Sequence, residues 1–212
     1  MSLTLYLLRH GETRYSQTGA YCGDLDVPLT PEGEEMARAF AAQYQALPWA
    51  GVYVSPMQRT IATARPLCAA IAQEMHTRDG LRELSYGQWE GLTPEEVQAR
   101  YNDDYIHWLT EPAWNPPTGG ETSVQLASRA AAVISEITQR HPTGNVLVVS
   151  HKATIRILLC NLLGIDVGRY RDRITVLTAS VSIVKLDRHG PLLQVLGDRY
   201  HIPAPIRDRP GT

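Results

Sequence analysis

The sequence predicts an α/β fold, a three-layer sandwich with a mainly parallel central sheet flanked by helices, and three observations carry that prediction. Short apolar runs at residues 3–8, 51–55 and 146–149 each stop at polar residues. A helix-like periodicity follows each run after a polar loop or turn, and signals such as Thr30-Pro31 and Gly164 mark helix ends. No internal repeat or low-complexity tract competes with this pattern, and a chain of 212 residues is long enough to bury one sizeable core.

The first run, "LTLYLL", has the character of a buried strand and gives way to a polar, glycine-bearing loop over 11–29. Thr30-Pro31 supplies an N-cap and a first helical position, and apolar residues at Met36, Ala39, Phe40, Tyr44 and Leu47 recur at helical spacing until Pro48. "GVYVS" is a second strand, and Ser55-Pro56 repeats the cap-then-proline signal before a helix expected to run to about residue 72, which leaves Ser55 the role of a cap. Residues 81–92 have an uneven, loop-like pattern. Residues 94–111 predict one or two surface helices, in which Tyr101, Tyr105 and Trp108 serve packing more than a substrate platform. Three prolines and two glycines make 112–121 a loop, long enough to suggest a lid or rim. An amphipathic helix is expected over 122–140. The strand at 146–149 leads through a polar turn into an apolar helix closed by Gly164, and "ASVSIVKLD" and "LLQVLGD", split by "RHGP", predict a closing hairpin.

Composition removes several function classes. A formal charge of −2 with acids and bases interspersed offers no basic stripe for nucleic acid. The three cysteines, Cys22, Cys68 and Cys160, are widely spaced and form no CxxC pair, which fits a reducing, cytoplasmic compartment rather than a disulfide framework or metal knuckle. Arg9 and His10 interrupt the first apolar run, so it has no secretory-signal pattern. The apolar stretch at 155–165 is too short to span a bilayer and contains Arg156 and Asn161, so no membrane partner is expected.

The chemistry-bearing residues fall at strand ends. The first strand ends in Arg9-His10-Gly11, the second leads through Ser55 to Arg59, and the late strand ends in Ser150-His151. Ligands of open α/β sheets bind outside the carboxyl ends of the strands, which would gather these groups at one rim. Guanidinium forks match phosphoryl oxygens, and helix N-termini add backbone donors. Arginine beside the first histidine disfavours a divalent cation, and no nucleotide-binding glycine motif is present, so neither a metal nor another cofactor is expected. His76, His107, His141, His189 and His201 stand outside this pattern and take structural roles.

These blocks resemble the histidine phosphatase superfamily, the phosphoglycerate-mutase-like proteins. "LLRHGET" is similar to its signature, "VYVSPMQRTIATA" to its second arginine motif and "LRELSYGQWEGL" to the segment bearing its acid. "GGET" and "VVSHKATIR" complete the match, which covers roughly residues 5–164 in the family's order. The resemblance implies the family's fold and a metal-free reaction in which His10 takes the phosphoryl group and Arg9, Arg59 and His151 bind and neutralise it. It implies that Glu83 donates the proton, in preference to Glu12, Glu90 or Glu121, and that Tyr86, Cys22 and Gly23 touch substrate. The segment 92–121 becomes an insertion covering the site of a single 1–212 domain. Ser16 stands where relatives commonly carry asparagine, Ala20 where many carry arginine, and Lys152 where a glycine is usual. Ser16 and Lys152 are accordingly candidate substrate contacts. Lys152, Tyr86 and the 112–121 loop are expected to set substrate choice.

The activity implied is hydrolysis of a small phosphorylated metabolite, with phosphoserine, α-ribazole phosphate, phosphoglycerates and sugar phosphates as candidate substrates. A phosphoglycerate mutase is the alternative, disfavoured because the stretch between Glu83 and His151 is short. A non-catalytic phospho-ligand sensor is disfavoured by the complete residue set. A homodimer could form through helix 94–111 or an edge strand within 181–197.

Overall fold

The computed structural model describes residues 2–209; the ends of the expected 1–212 domain, residues 1 and 210–212, lie outside the described residues. Its centre is a six-stranded sheet in the order β3-β2-β4-β1-β5-β6. The strands are β1 (Leu3–Arg9), β2 (Trp49–Val54), β3 (His76–Thr77), β4 (Gly144–Ser150), β5 (Val181–Asp187) and β6 (Gly190–Asp198). β3, β2, β4 and β1 run parallel, and the hairpin β5–β6 adds two antiparallel strands beyond β1. The predicted mainly parallel sheet is therefore present. The two-residue β3 is an addition, too short to leave a periodic signal.

Helices cover both faces because the central strands are apolar on both. Leu3, Leu5 and Leu7 of β1, with Val146 and Val148 of β4, pack on one side among α6 (Ser123–Arg140) and α7 (Lys152–Leu163). Leu8, Leu147 and Val149 face the other side against α2 (Pro31–Tyr44) and α3 (Gln58–Ile71). This period-two division is what a sheet buried on both faces requires. Leu5 and Leu7 are fully buried, each worth about 1.5–3 kcal/mol of apolar burial.

Thr30 caps α2 through the Gly33 N–H, with Pro31 at the first turn, as predicted. Thr122 and Gln125 form a reciprocal capping box that starts α6, and Gly164, at φ 69°, closes α7. Residues 94–111 form two helices, α4 (Pro94–Arg100) and α5 (Asn102–Thr110), because the backbone leaves helical geometry at Tyr101. The short helices α1 (Arg14–Thr18), α8 (Tyr170–Arg173) and α9 (Ala204–Arg207) complete the set named here. Among the described residues no helix is long and apolar enough to cross a membrane.

One local expectation changes. α3 begins at Gln58, and Ser55 is not its N-cap: that position is Met57, with no side-chain cap bond, and the Ser55 hydroxyl is directed to His151 instead. Gly11 is required by packing. A Cβ there would run into the carbonyl of Gly33, so glycine is what lets the end of β1 pass closely over the start of α2.

Candidate active site

β2, β4 and β1 are adjacent and parallel, with Arg9 paired to Ser150 and Val54 to Val149 in register. The carboxyl ends of these strands therefore deliver Arg9-His10, Ser55 and His151 to the same rim. Above it lies a cavity of about 410 Å³, lined among others by Arg9, His10, Ser16, Cys22, Arg59, Glu83, Tyr86 and Lys152. That volume suits a small metabolite.

His10 is buried and its tautomer is set by one contact. Its Nδ1 lies 2.8 Å from the Gly11 carbonyl, which can only accept, so Nδ1 carries the hydrogen and Nε2 keeps its lone pair. Burial first, then the Arg59 and Arg9 charges, holds the imidazole well below its ordinary pKa of 6.5. A neutral ring beside two guanidiniums is the state a nucleophile needs.

His151 has the same burial and the same depression, caused first by burial and then by Arg59 and His10. Its surroundings differ. The Arg59 Nε donates to Nδ1 at 3.2 Å, which places the ring hydrogen on Nε2, where it is donated to Ser55 Oγ at 2.8 Å. Both nitrogens are thus occupied by protein, and His151 stands behind the cavity wall, with its ring centroid 5.2 Å from that of His10. In this arrangement its ring contacts run to Arg59 and Ser55. Held neutral by burial, it fixes Arg59.

Arg59 is held from several sides. Nη1 donates to the Leu25 carbonyl at 2.7 Å, and Nη2 to those of Gly23 at 3.0 Å and Cys22 at 3.4 Å. The loop carrying these carbonyls is pinned by Glu90, whose carboxylate accepts the N–H groups of Gly23, Asp24, Leu25 and Tyr86. Glu90 is thereby a staple rather than an acid. Glu121 pairs with Arg129, and Glu12 accepts from Gln17, Thr30 and Arg209. Glu83 alone of the four candidate carboxylates lines the cavity.

Glu83 sits against the N-terminus of α7. Its Oε1 accepts the N–H groups of Leu84 (3.0 Å) and Thr154 (3.1 Å), and its Oε2 accepts that of Ala153 (3.1 Å). Thr154 Oγ1 also donates to Oε1, so Oε2 carries the lighter load. Arg9 is buried, donates from Nη1 to the Val176 carbonyl at 2.9 Å, and is brought down to about 10 by desolvation, which leaves it cationic at neutral pH.

The peripheral candidates divide. Ser16 lines the cavity, but its hydroxyl completes a capping box with Thr13 at the start of α1. Cys22 lines it with a thiol that burial pushes up to about 11. Gly23 does not line it, because its N–H is turned to Glu90 and its carbonyl to Arg59. Tyr86 forms part of an aromatic wall with Tyr21, their centroids 4.8 Å apart, and Trp108 stands edge-on to Tyr21 at 5.7 Å. Trp108 both packs on Trp89 and faces the cavity, whereas Trp114 is 70% exposed. Within 92–121 the cavity-lining residues are Pro94, Glu95, Tyr105 and Trp108. The 112–121 loop is instead fastened beside residues 85–89: Gln88 N–H donates to the Thr118 carbonyl, Trp89 Nε1 to Thr118 Oγ1, and Glu121 N–H to the Ser85 carbonyl.

Sequence reasoning missed Arg156 and Arg171, which also line the cavity. Arg156 had a legible signal, an i, i+4 spacing from Lys152 on an otherwise apolar helix. Arg171 had none, since it is one of three arginines in "GRYRDR" and the pattern gives no hint of which points inward. Among the described residues no cluster of three histidine, cysteine or acidic side chains is arranged to hold a metal ion. His141 receives the Tyr53 hydroxyl contact at 3.0 Å and His201 packs edge-on against Phe40, both outside the cavity as predicted.

Comparison with known proteins places this arrangement. The model of the histidine phosphatase superfamily (branch 1) matches residues 5–199. Phosphoserine phosphatase 1 of Hydrogenobacter thermophilus is 30% identical over 198 residues, covering 93% of each chain. The adenosylcobalamin/alpha-ribazole phosphatase of Salmonella typhimurium is 29% identical over 161 residues, covering 76% of this chain and 80% of its own. Among solved structures, Bacillus stearothermophilus YhfR superposes with a TM-score of 0.88 at 28% identity, covering 95% of this chain and 100% of its own. The strand-end histidines and arginines, the sheet order and these matches agree, and the chain belongs to the histidine phosphatase superfamily as a phosphomonoester hydrolase.

Proposed function

We propose that this protein hydrolyses a small phosphorylated metabolite through a phosphohistidine formed on His10, without a metal ion. The observation that carries the reading is the contact of Nδ1 with the Gly11 carbonyl, which leaves Nε2 as the basic atom of a neutral ring beside Arg9 and Arg59. In the first step the Nε2 lone pair attacks phosphorus in line, the ester P–O bond breaks, and Glu83 gives its proton to the departing alkoxide. In the second step Glu83 takes a proton from water, the hydroxide oxygen bonds to phosphorus, the N–P bond breaks, and inorganic phosphate leaves with His10 neutral again. Arg9 and Arg59 face the charge spread over the phosphoryl oxygens, where positioned cations are most effective. His151 is a positioning residue acting through Arg59 Nε, and Ser55 fixes its ring.

Tyr86, Cys22 and Lys152 supply contacts to the rest of the substrate, and Ser16 contributes by closing α1 at the cavity edge. Residues 92–121 cover one side of the site within a single domain, through Pro94, Glu95, Tyr105 and Trp108. Free Cys22, Cys68 and Cys160 support a reducing, cytoplasmic setting. Exposed Leu192 and Leu196 on the edge strand β6 support pairing of two chains there, which light scattering would check.

The test is phosphate release in excess EDTA from an alkyl phosphate and from p-nitrophenyl phosphate. Turnover is expected to survive chelation. Glu83→Gln should lower kcat on the alkyl ester by about 100-fold or more and on the aryl ester far less, because only the alkoxide needs a proton to leave. Equal losses on both esters, or loss of activity in EDTA restored by a divalent ion, would overturn the mechanism.

A further inference from the structure

We propose that the cavity contains a second anion-binding subsite, formed by Lys152, Arg156 and Arg171, and that the substrate is a phosphomonoester bearing another anionic group, carboxylate or phosphoryl, a few bonds from the ester. The inference rests on the phosphatase reading above and deepens it.

Arg9 at the end of β1 and Arg59 in the first turn of α3 already serve the reacting phosphoryl group in the proposed mechanism. Lys152, Arg156 and Arg171 are additional cations lining the same cavity. Lys152 opens α7 and Arg156 follows about one turn later, so both project from one face, about 6 Å apart along the axis. Arg171 comes from α8, its guanidinium carbon 3.7 Å above the Trp108 ring, which fixes the plane of its fork.

Among the described residues none of these three cations takes part in an ion pair. Arg156 Nε and Arg171 Nη1 are buried with no hydrogen-bond partner. Buried donors without acceptors are costly, and cations gathered without a counter-charge more so. Burial, followed by the Arg9 and Arg156 charges, brings Lys152 down to about 7, the behaviour of an ammonium short of an anion. The acids lining the cavity do not satisfy them: Glu83 is taken up by N–H groups of residues 84, 153 and 154, and Glu95 is exposed on α4 at the mouth.

An anion placed among these side chains would accept the orphaned donors and offset the repulsion. One helical turn separates the first residue of α7, beside the phosphoryl site, from Arg156. That span matches a short acid such as a three-carbon phospho-acid, and it disfavours neutral alcohols and bulky nucleosides as the group beyond the ester.

The test compares kcat/KM within matched pairs on the full chain. 3-Phosphoglycerate against glycerol 3-phosphate isolates a carboxylate, and 2,3-bisphosphoglycerate against 3-phosphoglycerate isolates a second phosphoryl group. In the wild type at least one pair should favour the more anionic member by about tenfold or more, chiefly through KM. Arg156→Gln and Arg171→Gln, made separately, should each collapse that ratio toward one, and Arg156→Lys should restore part of it. Ratios near one in the wild-type enzyme, or variants that lower both members of a pair equally, would overturn the subsite while leaving the phosphatase reading intact. Inactivity of the folded wild type on every ester, p-nitrophenyl phosphate included, would instead count against the phosphatase reading. In that event, calorimetric titration with 3-phosphoglycerate and glycerol 3-phosphate decides the subsite, equal affinities refuting it.

Discussion

The end of β1 and the end of β4 deliver the same residue type to one rim, yet give it different work. His10 and His151 are both buried, both held neutral, and their rings are close neighbours. His10 has one nitrogen tied to a carbonyl and the other uncommitted to that network. His151 has Arg59 on one nitrogen and Ser55 on the other. Burial and charge alone therefore do not distinguish the two rings; their hydrogen-bond partners do, and in the proposed mechanism that difference divides the nucleophile from the positioning residue.

The comparison breaks most sharply under substitution. His10→Ala should lower kcat by about 10,000-fold or more, because the covalent route disappears, whereas His151→Ala should leave about 1% to 0.1% of activity. Phosphate release by the two purified variants checks this, and similar losses would erase the distinction between them. A double-mutant cycle sharpens the same point. If His151 acts through Arg59, then Arg59→Ala and His151→Ala should each lower kcat/KM by about 100-fold to 1,000-fold, and the double variant little further. Multiplicative losses would mean that His151 meets the phosphate independently.

The smallest expected effect concerns pH, where the two histidines should agree. Both titrate well below the ordinary 6.5, and burial takes His201 down to about 4. Below pH 6.5 the unfolded chain takes up protons that these buried rings refuse, so stability is fully present above 6.5 and is lost as pH falls toward the folded values. The slope should reach at most about 1.4 kcal/mol per pH unit for each histidine in that window. Urea melts at pH 7.5 and 5.5 measure it, and His201→Phe should reduce the difference. Activity should show no loss attributable to His10 on passing through pH 6.5.

Much of this was legible in the sequence because the polar residues that close apolar strands are conspicuous. Arg9-His10 and Ser150-His151 could hardly lie elsewhere once the strands were parallel, and Thr30-Pro31 and Gly164 marked their helix ends by local chemistry. What escaped depends on tertiary direction. Ser55 carried a cap signal, yet its hydroxyl answers to a histidine 96 positions away. Glu90 looked like any carboxylate until the loop at 22–25 folded over it. Gly11 needed no special backbone angle that a sequence pattern could flag, only the close passage of α2. Arg156 was noticed as a charge unsuited to a membrane, and its place one turn from Lys152 in the cavity became visible with the helix.

The central claim is that Nε2 of His10 takes the phosphoryl group while His151 does not, and trapping the intermediate tests it most directly. Wild-type protein would be mixed rapidly with a phosphorus-labelled substrate, quenched in alkali, and examined by ³¹P NMR and by mapping of the labelled peptide. The account predicts one base-stable, acid-labile phosphohistidine, on Nε2 of His10. Label on His151, on Nδ1 of His10, or turnover with no labelled histidine at any quench time would contradict it.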